Sequence, residues 1–207
     1  IFSIVLFLVN KDSGKGALQV TAQPQSRVYL DGKLIAKTPL CKCELKDMIN
    51  TGEFKIRVVP EQEGFDPFES KITVSPKVLT VVDRTFNNNS QSSGSIINLK
   101  KISDKNNLEL QVISLPQNSQ VFLDSNAVGF TPVTLKNITE SDHEIKVTKE
   151  GYQDKIIRIR TVKGFKLEAL VFLGVKPAAV QENGKPLTST KVSKVVILQT
   201  PTGFLRV

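Results

Sequence analysis

Few side chains in this sequence could do chemistry. Its 207 residues hold two Cys, one His, one Met and no Trp. Cys41-Lys42-Cys43 is the only thiol pair. A structural zinc ion takes four Cys/His ligands, and His143, far along the chain, cannot complete such a set. The pair therefore reads as a strained bridge or two free thiols, against the alternative of a functional redox pair. His143 is the first residue on the apolar side of an alternating segment, a packing position, and no Ser or Asp can be placed beside it from sequence. Asp124-Ser125-Asn126-Ala127-Val128-Gly129 opens like a calcium loop, but Leu135 stands at the twelfth position, where a bidentate Glu is required. Phosphate-cradling Gly patterns are missing. Asn88-Asn89-Ser90 and Asn137-Ile138-Thr139 fit the glycosylation triplet, which is common by chance. The expectation is a non-enzyme with no catalytic, cofactor or metal residue to name, and with any binding residues unassigned.

The elements that would carry these residues alternate with period two. Phe54, Ile56 and Val58 share one face against Lys55 and Arg57; Phe165, Leu167, Ala169 and Val171 do the same against Lys166 and Glu168. Half-buried antiparallel strands have this pattern. Asp31-Gly32 after Val28-Tyr29-Leu30 marks a tight hairpin, and Asp124-Ser125-Asn126 is its counterpart.

That counterpart belongs to an internal repeat of about ninety residues. Leu18-Gln19-Val20 returns as Leu110-Gln111-Val112, Pro24-Gln25 as Pro116-Gln117, Val28-Tyr29-Leu30-Asp31 as Val121-Phe122-Leu123-Asp124, and Thr38-Pro39 as Thr131-Pro132. Phe54-Lys55-Ile56-Arg57-Val58 matches His143-Glu144-Ile145-Lys146-Val147, and Gly64-Phe65 matches Gly151-Tyr152. The offset drifts from 92 and 93 to 89 and then 87, so length changes fall between the matched strands. Cys41 and Cys43 lie in one such change: fourteen residues separate Pro39 from Phe54, against ten between Pro132 and His143. They are expected in a loop insertion, outside the shared core. Each repeat is expected to be a small β-sandwich that folds alone, over 16–86 and 107–175.

The formal net charge of +8 does not gather on one repeat. Residues 16–86 hold ten Lys/Arg against nine Asp/Glu, and 107–175 hold eight of each. The excess falls in the connecting pieces, at Lys11, Lys15, Lys100, Lys101, Lys105, Lys176, Lys185, Lys191, Lys194 and Arg206. This pattern argues against nucleic acid, which selects a folded basic face. It suits either solvated linkers or weak attraction to an anionic surface such as lipid headgroups or wall polymers. Segment 87–106, with Asn87-Asn88-Asn89-Ser90-Gln91-Ser92-Ser93-Gly94, reads as a flexible linker in which Ile96-Ile97-Asn98-Leu99 could add an edge strand. Residues 176–192 read as a second linker.

Residues 1–9, IFSIVLFLV, are apolar but for Ser3 and break off at Asn10-Lys11-Asp12. A membrane helix needs ~20 apolar residues, so this stretch is expected to be the end of a transmembrane anchor, followed by a linker over 10–15; a buried strand is the alternative.

The repeated Pro, Val-x-Leu-Asp, Thr-Pro, Ile-x-Val and Gly-aromatic elements resemble the PEGA domain, in both copies. That resemblance implies small β-sandwiches of roughly seventy residues, placed in bacterial and archaeal surface-layer and envelope proteins, often behind a membrane anchor, with no catalytic residues to carry over. The eponymous four residues read Pro24-Gln25-Ser26-Arg27 and Pro116-Gln117-Asn118-Ser119, and the second copy lacks Gly after Asp124. Residues 193–207, ending Thr200-Pro201-Thr202-Gly203-Phe204-Leu205-Arg206-Val207, resemble the start of a bacterial Src-homology-3-like barrel, which implies a wall-facing module.

The expectation is an all-β, non-enzymatic protein of the cell membrane, single-pass, with tandem β-sandwiches on the extracytoplasmic side. The sandwiches would act as spacer and binding units toward cell-wall or surface polysaccharide, with no cofactor. A sensory ectodomain that binds a small ligand and signals through the anchor is the alternative.

Overall fold

The structure, a computed structural model, describes residues 14–177. The expected anchor at 1–9 and the barrel-like stretch at 193–207 lie outside them, as does nearly all of the second linker. No helix among the described residues is long and apolar enough to cross a membrane. The described chain is built of strands, with one short 3-10 turn at Asn89–Gln91.

The first repeat forms β1 (Lys15–Gln23), β2 (Ser26–Leu30), β3 (Lys33–Lys37), β4 (Leu40–Lys42), β5 (Ile49–Asn50), β6 (Gly52–Pro60), β7 (Phe68–Val74) and β8 (Leu79–Thr85). A connecting strand follows, β9 (Ser93–Lys101). The second repeat forms β10 (Glu109–Leu115), β11 (Gln120–Leu123), β12 (Asn126–Phe130), β13 (Val133–Lys136), β14 (Asp142–Thr148), β15 (Lys155–Arg160) and β16 (Phe165–Phe172). Both repeats carry the same fastening. The Thr38 hydroxyl accepts from Ser26 N–H at 2.9 Å, and Thr131 accepts from Ser119 N–H at 3.1 Å. The Asp31 carboxylate accepts from Lys55 N–H at 2.8 Å, and Asp124 from Glu144 N–H at 2.9 Å. The repeated Thr-Pro and Leu-Asp motifs are thus the points where backbone donors find side-chain partners.

Two four-stranded antiparallel sheets, β3-β2-β6-β7 and β12-β11-β14-β15, flank a third sheet of order β13-β10-β16-β9-β8-β1-β4, with β5 paired to the end of β1. The third sheet corrects three expectations. It is one continuous sheet through both repeats: each repeat packs its own four-stranded sheet on this layer, so the two sandwiches share a sheet. It also contains parallel pairs, β1 with β8 and β10 with β16. Within each repeat the chain builds a whole four-stranded layer between the two partners, which supplies the long connection that parallel strands require. The third correction is the supposed flexible linker. Its strand β9 is not at an edge: it lies at the centre, antiparallel to both β8 and β16.

Burial explains the position of β9. Ile96, Ile97 and Leu99 are each 2% exposed or less, so both faces of the strand are covered. Ile96 joins Leu18, Val20, Val82, Leu170 and Phe172 in packing against the first repeat's Val28, Ile56, Val58 and Ile72. Ile97 and Leu99 join Leu79, Val81, Leu110, Leu167 and Ala169 against the second repeat's Val121, Ile145, Val147 and Ile159. The two flanking sheets therefore cover opposite faces of the central one. Strand directions and faces together correspond to a pseudo-two-fold rotation about β9. The Asn/Ser-rich lead-in is ordered by hydrogen bonds in place of apolar burial: Ser92 Oγ accepts from Asn87 N–H and donates to Asn87 O, both at 3.0 Å, while Val175 N–H donates to Ser90 O at 2.8 Å. Gly94 is needed beside β8, because a Cβ there would stand 2.3 Å from Asp83 O. Lys100, counted as a linker charge, pairs with Glu168 at 2.8 Å on the neighbouring strand.

Candidate functional site

Four places hold side chains whose arrangement is not explained by strand packing alone. The first surrounds His143 at the start of β14. The register Leu123↔Ile145 places Asp124, in the turn after β11, next to it. Nδ1 of His143 stands 2.5 Å from Asp124 Oδ2, and Nε2 stands 3.0 Å from Thr139 O, 3.0 Å from Ser141 Oγ and 3.3 Å from Thr139 Oγ1. Sequence reasoning gave this His no Ser or Asp neighbour; the structure supplies both. Nδ1–H donates to the Asp124 carboxylate, and Nε2 faces one carbonyl and two hydroxyls; a proton on Nε2 is held by Thr139 O, so the surroundings favour the charged form of the ring. Burial opposes that charge, but the Thr139 carbonyl, then Asp124, then the field of Asp142 outweigh it and hold the His143 pKa above its ordinary 6.5. On the other side, Glu144 N–H and then His143 pull the Asp124 pKa below its ordinary 3.8.

This cluster has the composition of a nucleophilic triad. A general base must offer Nε2 as an acceptor to the Ser proton, and the Thr139 carbonyl beside Nε2 favours a proton on that nitrogen instead. The cluster ties the Asp124–Ser125 turn, the Thr139–Ser141 loop and β14 to one buried imidazole ring. Thr161 Oγ1 adds the end of β15 by donating to Thr139 O at 2.7 Å.

The second place is the Cys pair. Cys41 and Cys43 form a disulfide. Cys41 lies on β4, paired with Gln19, and Cys43 is buried with Ala17, Val78 and Leu79. The expectation of a loop outside the shared core is corrected for Cys43: β4 has a counterpart in β13, and the insertion begins only after it. Among the described residues no group of three or more His, Cys, Asp or Glu could hold a metal ion.

The third place is a cleft of about 540 Å³ at one end of the second repeat's four-stranded sheet. Gln120 and Thr148, a register pair across β11 and β14, line its floor, with Phe130 of β12 at one side. Asn118 and the Lys149-Glu150-Gly151 turn form the rim. Phe130 is 57% exposed. Lys149 Nζ donates to the carbonyls of Gln117 and Asn118 at 2.9 and 3.0 Å, which fixes the rim and uses this cation internally.

Between the repeats, the Arg84 guanidinium carbon lies 4.6, 5.4 and 5.7 Å from the ring centres of Phe68, Phe172 and Phe86. Among the described residues its Nε and Nη1 have no hydrogen-bond partner. Burial pushes its pKa down to about 10 against the pull of Asp83, and the aromatic faces stabilise the charge in place of water.

A comparison with family models matches the PEGA domain over residues 16–90 and again over 108–170, more than half of the chain. No curated protein matches. Among solved structures, the Bacillus anthracis TIE protein aligns with a TM-score of 0.25 at 11% identity, covering 77% of this chain. The chain spans about a third of that structure's length, 34%.

Proposed function

The chain belongs to the PEGA domain family, whose modules are of the cell-surface type, and from that premise we propose that it is a non-enzymatic spacer and binding unit of the bacterial cell envelope. In this reading the apolar residues 1–9 continue a single-pass membrane anchor, the β modules stand on the extracytoplasmic side, and the modules contact cell-wall or surface polymers. The observation that carries the proposal is the continuous central sheet. Two repeats joined through β9 hold a fixed mutual orientation, which a spacer needs and a flexible pair would lack. The Cys41–Cys43 bridge supports the same location, because disulfides persist in oxidising compartments outside the cytoplasm.

Topology tests the proposal directly. The full-length protein with a C-terminal epitope should sediment with membranes, and protease added to intact spheroplasts should remove the epitope. Recovery in the soluble cytosolic fraction, or protection until the membrane is lysed, would contradict it.

A further inference from the structure

The two repeats are built alike, so the places where they differ in side chain but not in backbone register are informative. In the first repeat Arg27 pairs with Lys37 on one side and Val59 on the other. In the second, Gln120 pairs with Phe130 and Thr148 in the same way. The correspondence is anchored by Ser26 and Ser119, each buried and each donating to the Thr hydroxyl of its repeat. Arg27, Lys37 and Val59 therefore become Gln120, Phe130 and Thr148. Glu61, one position past the Ser26 partner Pro60, corresponds to Glu150.

In the first repeat Lys37 Nζ lies 2.6 Å from Glu61, and the two side chains are paired with each other there. In the second repeat the lysine is replaced by an exposed phenyl ring, and the Glu150 carboxylate has no ion-pair partner among the described residues. Among the described residues the side-chain amides of Asn118 and Gln120 and the hydroxyl of Thr148 likewise have no hydrogen-bond partner. An exposed Phe is not required by this fold, since a Lys fills the equivalent position.

We infer that the cleft around Phe130 is a saccharide-binding subsite, in which the apolar C–H face of a neutral pyranose ring rests on Phe130 and its hydroxyls bond Glu150, Gln120, Asn118 and Thr148. The ligand class follows from what surrounds the ring. A carboxylate repels anions, and Lys149, the cation in the cleft lining, is already held by two carbonyls. A purely apolar ligand would strip water from four polar groups without replacing their hydrogen bonds. A ligand with one apolar face and a rim of hydroxyls satisfies both surfaces, and about 540 Å³ falls within the ~300–1,000 Å³ of small-molecule clefts.

The inference rests on the envelope reading and names its polymer-contacting surface. Its test is a titration of the full chain, followed by amide NMR, with N-acetylglucosamine tetramer, cellotetraose and, as an amine probe, n-butylammonium. The expected result is that at least one oligosaccharide shifts the amides of Gln120, Phe130, Thr148 and Gly151, while the equivalent amides of the first repeat stay still. Phe130→Lys, which restores the residue the first repeat tolerates, should weaken that binding at least tenfold, and Glu150→Gln should weaken it more modestly. No shift with either sugar, unchanged affinity in Phe130→Lys, or tighter binding of the amine than of the sugars at the same amides would overturn the inference. Membrane sedimentation and protease accessibility of Phe130→Lys keep the two readings apart. Loss of sugar binding with display intact is a property of the cleft, whereas a protein that is not displayed defeats the envelope reading whatever the cleft binds.

Discussion

Lys155 of the second repeat places its ammonium 2.6 Å from Oδ2 of Asp83 in the first, across the junction between β15 and β8. Both side chains are less than a fifth exposed, at 19% and 17%, and Thr21 Oγ1 donates to the other carboxylate oxygen at 2.9 Å. A surface pair would contribute almost nothing, but here removal of one partner strands a largely desolvated charge. Lys155→Ala should cost about 1.5–3 kcal/mol in urea unfolding, the range for hydrogen bonds to charged groups. The additional replacement Asp83→Asn should cost much less in the Lys155→Ala background than in the wild type. Additive costs would show that the two side chains do not interact.

The His143 cluster predicts a pH dependence with a defined sign. Because the His143 pKa is raised above 6.5 on folding, its contribution is complete below pH 6.5 and is lost as pH rises through the higher folded value. Because the Asp124 pKa is lowered from 3.8, its contribution is present above 3.8 and is lost as pH falls through the lower folded value. His143→Phe takes the residue that stands at this position in the first repeat. Its melting temperature relative to wild type should be least favourable between pH 3.8 and 6.5, and the difference should shrink as pH rises beyond that window. A pH-independent difference would show that His143 acts by packing alone.

The Cys41–Cys43 bridge closes a very short loop, with a sequence separation of 2. Chain-entropy reasoning gives such a closure about 1.5 kcal/mol. The double variant Cys41→Ser, Cys43→Ser should lose about that much, and wild type in excess reductant should lose a similar amount. No change on reduction would show that the bridge does not contribute in solution.

Much of the architecture is legible in the residues, and the illegible part has a physical cause. The alternation in Phe54–Val58 and Phe165–Val171 marks strands with one polar face, and the paired Leu-Asp and Thr-Pro motifs mark the repeat. The strand β9 defeats the same reasoning because Ile96-Ile97-Asn98-Leu99 serves two cores at once. A strand buried on both faces loses its alternation, and a polar lead-in then makes it look like a linker. The Asp124–His143 contact was within reach: pairing Val121 with Val147 places Asp124 beside His143, and only the register was missing. The Thr38-Pro39 and Thr131-Pro132 match already sets Lys37 opposite Phe130; what the sequence does not show is that strand pairing brings these two positions to the turns that carry Glu61 and Glu150.

The central claim is that β9 makes the two repeats one cooperative unit, and native-state hydrogen exchange in increasing urea tests it most directly. The slowest amides of β1 and β8, of β10 and β16, and of β9 between them should converge on one opening free energy with one urea dependence. Convergence of 16–86 and 107–175 onto two different opening free energies, with β9 following only one of them, would contradict the account and return the protein to two independent sandwiches on a tether.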